Sequence, residues 1–85
     1  MHTVMMDGSL YASGRDLHAA LGRMLAFPAY YGMNADALND CLSERAEAVS
    51  LWIFSWGNEE VASALKLISR VIMANGGQVR EVKQA

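Results

Sequence analysis

Two aspartates, Asp36 and Asp40, stand four residues apart in the segment YYGMNADALNDCL, residues 30–42. At that spacing they are neighbours on one face of a helix, where two like charges repel and slightly reduce helix stability. Paired carboxylates can act as a general acid and base, or they can bind a cationic partner. The rest of the chain favours the second of these roles.

An enzymatic role needs a cleft that separates the pKa values of two carboxyl groups, and a helix face is convex. His18 falls on the polar side of its predicted helix and is expected at the surface, while His2 lies near the start of the chain. Cys41 borders an apolar helix face and is expected to be a buried, unreactive thiol. We therefore predict no catalytic residue, no metal site and no cofactor.

The acidic face extends if the helix continues past Glu44, because Glu44 and Glu47 then fall within about 80° of Asp36. A solvated outer face is one interpretation of such a ridge. Outer faces usually mix acids with bases four residues away. Here only Arg45 is basic between Asn34 and Glu47, and it is predicted to point away from the ridge. The pattern favours a docking surface for a cationic partner.

Two adjacent tyrosines, Tyr30 and Tyr31, precede this helix. One or both can pack on the core with the hydroxyl in water. Alternatively, an exposed tyrosine beside unpaired acids is typical of an interface hot spot. Both interpretations remain open from the sequence.

The elements that must position these residues follow from periodicity and end signals. We predict strands over 3–6, 49–54 and 78–82, and helices that start after Ser13, Asn34 and Asn58 as capping residues. The second helix is predicted from about Ala35 to Glu44. The apolar strand over 49–54 is typical of a sheet covered on both faces. Trp52 and Trp56 are expected in the core, with exposure of Trp56 at the end of the strand as the alternative. The order predicts an α/β fold with a small three-stranded parallel sheet packed by about three helices.

Composition agrees with one globular domain over 1–85. The 85 residues are 53% hydrophobic and 19% charged, with a net charge of −2. Mild acidity argues against a nucleic-acid partner. The apolar stretches are too short to span a membrane, and the first residues do not read as a signal peptide. A single cysteine allows no internal disulfide, so we expect a cytoplasmic protein.

Residues 16–42, DLHAALGRMLAFPAYYGMNADALNDCL, resemble the barstar family of ribonuclease inhibitors. The matching positions include Asp16-Leu17-His18, Pro28, Tyr30-Tyr31-Gly32, Asn34, Asp36-Ala37-Leu38 and Asp40-Cys41-Leu42. Beyond Leu42 the resemblance is one of element order. It implies a three-stranded parallel sheet packed by helices, in agreement with the order predicted from periodicity.

The resemblance also implies a function. Barstar-like proteins bind a basic ribonuclease and block its active site, and Asp40 would replace a substrate phosphate there. This carries the expectation of a one-to-one complex with a barnase-like ribonuclease, without direct contact to nucleic acid or membrane. The partner-binding residues expected on this basis are Tyr30, Gly32, Asn34, Ala35, Asp36, Asn39, Asp40 and Glu44.

Some positions depart from the family pattern. Met33 stands where an acid is common, and Asn39 where tryptophan is frequent. A family acid on the last helix has no counterpart at Arg70, Val71 or Ile72. We therefore keep two hypotheses, an inhibitor or immunity protein and a non-inhibitory interaction module that binds a basic partner through the same scaffold.

Overall fold

The computed structural model describes residues 1–83. Within them the chain forms a three-stranded sheet and three α-helices, with a short 3-10 turn at Gly8–Leu10. The elements are β1 (His2–Asp7), α1 (Gly14–Met24), α2 (Ala35–Ser43), β2 (Val49–Ser55), α3 (Glu59–Ala74) and β3 (Gln78–Glu81). The predicted fold class and element order are confirmed.

The three helices begin at the capping residues that the sequence predicts. The side-chain oxygens of Ser13, Asn34 and Asn58 each accept a hydrogen bond from the backbone N–H three residues later. Each bond satisfies one of the donors that a helix start leaves free. The helix starts are therefore set locally, before any tertiary contact forms.

The sheet has the order β1-β2-β3, and both strand pairs are parallel. Each crossover moves one position in the same direction, and parallel crossovers are right-handed. Two crossovers of the same hand and direction place their helices on the same face of the sheet. The helices therefore form one layer and the sheet forms the other.

The core lies between these two layers. Val4 and Met6 of β1 and Leu51 of β2 are buried against apolar residues of the helices. Leu21 of α1 and Leu65 of α3 are fully buried in the same cluster. Alternate residues of each strand point the other way, because successive side chains of a strand face opposite sides.

The opposite face of the sheet is only partly shielded, so the prediction of a strand buried on both faces is met in part: on that face of β2, Ser50 is buried and Trp52 and Phe54 are partly buried. Met5 is 55% exposed, and Trp52, its partner across the strands, is only partly buried. The guanidinium carbon of Arg80 lies 5.3 Å from the centre of the Trp52 ring. Trp56 is also partly buried, and its indole N–H donates to Glu81 Oε1 at 3.0 Å. The prediction that both tryptophans are core residues is therefore only partly met.

No helix within residues 1–83 has the length and apolar character needed to cross a lipid bilayer.

Candidate protein-binding site

Helix α2 presents its acids outward because its other face is anchored in the core. Leu38 and Leu42 are buried against the sheet and the neighbouring helices. Asp36 and Asp40 lie on the opposite side and are exposed. Burying two leucines stabilises this orientation by about 1.5–3 kcal/mol each, more than the repulsion of the aspartates opposes it.

The carboxylates of α2 have no ionic partner within residues 1–83. The ion pair found there joins Glu47 to the amino group of Met1 at 3.9 Å. Neither Asp36, Asp40 nor Glu44 lies within 4.0 Å of a cationic nitrogen of those residues. The negative charge of this helix is therefore available to a partner.

The acidic face ends earlier than a longer helix would allow. Helix α2 stops at Ser43, with Glu44 as its C-terminal cap. Arg45 turns away from the acidic face. Its backbone N–H donates to Leu42 O at 3.1 Å, and its side chain binds atoms outside α2. Glu47 lies in the following loop, so the four-carboxylate ridge is not formed. The acidic face consists of Asp36, Asp40 and Glu44.

The loop between α1 and α2 is held by a buried histidine and tyrosine. The Tyr31 hydroxyl lies 2.7 Å from His18 Nδ1, and both side chains are buried. The Tyr31 ring also packs on Phe27, with ring centres 4.9 Å apart. The prediction that His18 is a surface residue is wrong, because the loop between α1 and α2 folds over that side of α1. This loop carries Tyr30 and Tyr31 and is called the tyrosine loop below. The role of His18 here is to anchor the loop.

Acid is expected to destabilise the fold through His18. Burial lowers the pKa of His18 below the ordinary histidine value of 6.5, so the unfolded chain takes up the proton first. The free energy of unfolding should have its full value above pH 6.5, the ordinary histidine pKa, and should decrease as the pH falls from there toward the lowered pKa of folded His18. Urea unfolding measured at a series of pH values tests this.

The control for this prediction is His18→Gln, which removes the titrating ring. The variant should lose stability more gently than the wild type on acidification, although it starts from a lower value at neutral pH. A wild-type stability that rises as the pH falls would contradict the assignment.

Tyr30 and Tyr31 have opposite environments, which resolves the alternatives left open above. Tyr31 is 8% exposed and belongs to the core, whereas Tyr30 is 85% exposed. The Tyr31 N–H donates to Pro28 O at 3.0 Å and closes a turn that contains Tyr30, which leaves the Tyr30 ring in solvent. Tyr30 is thus a large aromatic ring with no cover, beside the acidic face.

The same loop stores backbone strain near both of its ends. Ala26 and Met33 have φ values of 55° and 56°, in the left-handed region that costs non-glycine residues about 1–2 kcal/mol. Gly32, the glycine of this loop, does not have a positive φ. Strain of this kind is maintained only where surrounding contacts impose it, and it concentrates at functional sites.

A cavity of about 400 Å³ lies between this loop and the end of α2. Its wall consists of Leu25, Ala26, Phe27, Pro28, Tyr30, Asp40, Cys41, Glu44 and Arg45. The expectation of a purely convex acidic surface is therefore incomplete. Phe27, Pro28 and Arg45 were not among the predicted site residues, because the cavity arises from two segments that meet only in the folded chain. The wall of the cavity thus combines apolar side chains with two carboxylates, a tyrosine and an arginine.

Cys41 is half-buried in the cavity wall, not fully buried as expected. Burial raises the pKa of its thiol, and the negative charges of Glu44 and Asp40 raise it further. The thiol therefore stays protonated and is a weak nucleophile. The prediction that the Cys41 thiol is unreactive therefore has two physical supports, the nearby negative charges and burial.

The residues expected to bind a partner form one continuous segment of the surface. Gly32, Asn34, Asn39 and Glu44 are exposed like Tyr30 and the two aspartates, whereas Ala35 is half-buried. Asn34 is committed to capping α2, since its Oδ1 accepts from the Ala37 N–H at 2.8 Å. Asn39 Oδ1 accepts from Asn75 Nδ2 at 2.9 Å, which links α2 to the end of α3.

Within residues 1–83 no group of three or more histidine, cysteine or acidic side chains is placed to hold a metal ion. The features present are a helix with exposed carboxylates, an exposed aromatic ring and a cavity beside them. Together they define a small α/β domain with an acidic face suited to a cationic protein surface.

Comparison with known families agrees with this class. A family model described as Barstar (barnase inhibitor) matches residues 1–74. The match covers the chain from β1 to the last residue of α3, and the chain belongs to the barstar family. The family match therefore extends well beyond residues 16–42, where the sequence resemblance is closest.

Proposed function

We propose that this protein is a cytoplasmic ribonuclease inhibitor that binds its target one-to-one through residues 30–44. The observation that carries this proposal is the exposed Asp40 carboxylate, which has no ion-pair partner in residues 1–83. Family membership supports the class of target, since the family is described as barnase inhibitors.

Charge explains how such a surface can block a nuclease. A ribonuclease site holds substrate phosphate with cationic side chains, and a carboxylate can accept the same charge-assisted hydrogen bonds. Asp40 lies on a helix whose inner face is buried, so little conformational freedom is lost when it binds. The inhibitor then occupies the site without any catalytic group of its own.

A direct test is titration of a basic ribonuclease, starting with barnase, while RNA cleavage is measured. Inhibition should be complete near one equivalent of protein. Loss of cleavage only at a large excess, or none with any of a panel of basic ribonucleases, would contradict the proposal.

One observation favours the second candidate, a non-inhibitory module that binds another basic protein. The contact between α2 and α3 uses the amide side chains of Asn39 and Asn75, and α3 has no acid at Arg70, Val71 or Ile72, where the family pattern has one. Capture of a basic protein without nuclease activity, together with unprotected RNA, would support this candidate instead.

Affinity for a basic ribonuclease is expected to fall as salt is raised. Between about 50 mM and about 500 mM salt the screening length shortens to a few ångströms. The association rate should therefore drop by roughly tenfold or more, because electrostatic steering is lost. Stopped-flow association at several salt concentrations measures this.

The dissociation rate should change much less, since contacts already formed are partly shielded from solvent. A salt-independent association rate would show that the acidic face does not steer the encounter.

A further inference from the structure

Arg45 joins three elements around the cavity. Its Nη1 donates to Leu25 O at 2.9 Å, at the C-terminal end of α1. Its Nη2 lies 3.2 Å from His2 Nδ1, at the start of β1. Arg45 itself follows α2 closely, so one side chain links the end of α2 to the start of the tyrosine loop. A cation at the end of α1 is also favoured by the helix dipole.

The contact between Arg45 and His2 allows only one arrangement of protons. A guanidinium has donors but no acceptor, and it stays charged at any accessible pH. His2 Nδ1 must therefore accept, which requires a neutral ring with its proton on Nε2. Protonation of Nδ1 would remove this hydrogen bond and set two positive groups against each other.

No carboxylate in residues 1–83 lies within 4.0 Å of a ring nitrogen of His2. The ion pair found in those residues joins Glu47 to the amino group of Met1, the residue before His2, at 3.9 Å. Two other acids, Asp40 and Glu44, line the same cavity as Arg45. The Cys41 thiol, also in the cavity wall, stays protonated because burial raises its pKa.

We propose that the hydrogen bond between Arg45 and His2 is a pH-sensitive latch beside the cavity. This latch regulates the partner-binding surface, and in this respect it rests on the proposed function. With His2 neutral, the guanidinium is held between β1 and the end of α1, away from Asp40 and Glu44. With His2 protonated, it leaves this position and turns toward those carboxylates. The Arg45 guanidinium then competes with the cationic partner for Asp40 and Glu44.

The latched position is weakly satisfied, which makes it sensitive to one proton. The Nε of Arg45 is buried without a hydrogen-bond partner in the described part of the chain. Such a donor opposes the latched position by its desolvation. Losing the His2 acceptor as well leaves Leu25 O as the remaining protein contact of the guanidinium there.

The latch can be tested on the isolated protein by nuclear magnetic resonance between about pH 8 and about pH 5, where histidine changes charge. The Arg45 Nε–H signal and the backbone amides of Ala26 and Glu44 should shift with the same midpoint as the His2 ring. His18 is followed separately through its own ring signals. Amide shifts that follow His18, or no shifts at all, would overturn the proposal.

Two variants complete this experiment. In His2→Gln an amide oxygen can accept from Arg45 without titrating, so the cavity shifts should be lost. In Arg45→Met the His2 ring should still titrate while the cavity amides no longer follow it. Cavity shifts that persist in His2→Gln would overturn the latch, and this variant decides the matter if Arg45→Met does not fold.

The spectra need no partner, so their outcome is independent of whether the protein inhibits a ribonuclease. Where a ribonuclease does bind, acidification from about pH 7.5 to about pH 5.5 should weaken wild-type affinity about tenfold more than that of His2→Gln. An equal loss in both proteins would show that the latch does not regulate binding.

Discussion

Replacing Asp40 by asparagine should reduce affinity for the ribonuclease that the proposed function assigns as partner by roughly 30-fold to several thousand-fold. This corresponds to about 2–5 kcal/mol, the cost of removing one partner of a hydrogen-bonded charge pair at an interface. Asparagine keeps the size of the side chain and removes the charge, so the variant isolates the electrostatic contribution. Binding and inhibition of RNA cleavage are the measurements.

The variant should fold normally, because Asp40 is exposed and its carboxylate forms no hydrogen bond or ion pair in residues 1–83. Its free energy of unfolding should stay within about 0.5 kcal/mol of the wild type. The matched control is Glu59→Gln, which changes net charge equally at the start of α3, at the far end from the Asn39 contact. Similar losses in both variants would mean that net charge, not a specific contact, drives binding.

Replacing Gly77 by alanine should destabilise the fold by about 3 kcal/mol, at the upper end of what over-packing costs. A Cβ at this position would collide with the carbonyl oxygen of Val49 and with the side chain of Ile72. The Val49 oxygen belongs to the backbone of β2 and cannot move aside without disturbing the sheet. Urea unfolding gives the change in the free energy of unfolding.

Gly76 provides the matched control one residue earlier. Its φ is 79°, but a Cβ there would meet no atom within 4 Å. Alanine at Gly76 should therefore cost only the left-handed backbone penalty of about 1–2 kcal/mol. If the Gly76 variant proves the less stable of the two, the close approach of the turn after α3 to β2 is not what limits position 77.

Local signals were sufficient for the elements and for the acidic face. Ser13, Asn34 and Asn58 cap their helices as predicted, because a cap depends on residues only three positions apart. The spacing of Leu38 and Leu42 determines which side of α2 is buried, and hence that Asp36 and Asp40 are exposed. The Gly57-Asn58 pair leads from β2 directly into α3, as the sequence indicates.

Features that depend on contacts between distant segments could not be predicted from the sequence in this way. The two glycines after α3 look equivalent in the sequence, yet only Gly77 lies against β2. The partly shielded face of the sheet follows from the direction of both crossovers, which no single strand reveals. The apolar composition of β2, taken alone, therefore predicts a strand covered on both faces.

The amino-acid sequence by itself determined the α/β element order, the helix starts and the placement of three carboxylates on an unburied face, because each depends on neighbours within a turn or two. Only the tertiary structure decided that His18 is buried under Tyr31, that Tyr30 is therefore exposed, and that a cavity bounded by Arg45 lies beside Asp40. These features are contacts between segments distant along the chain. Their geometry is set by packing, which residue spacing alone does not encode.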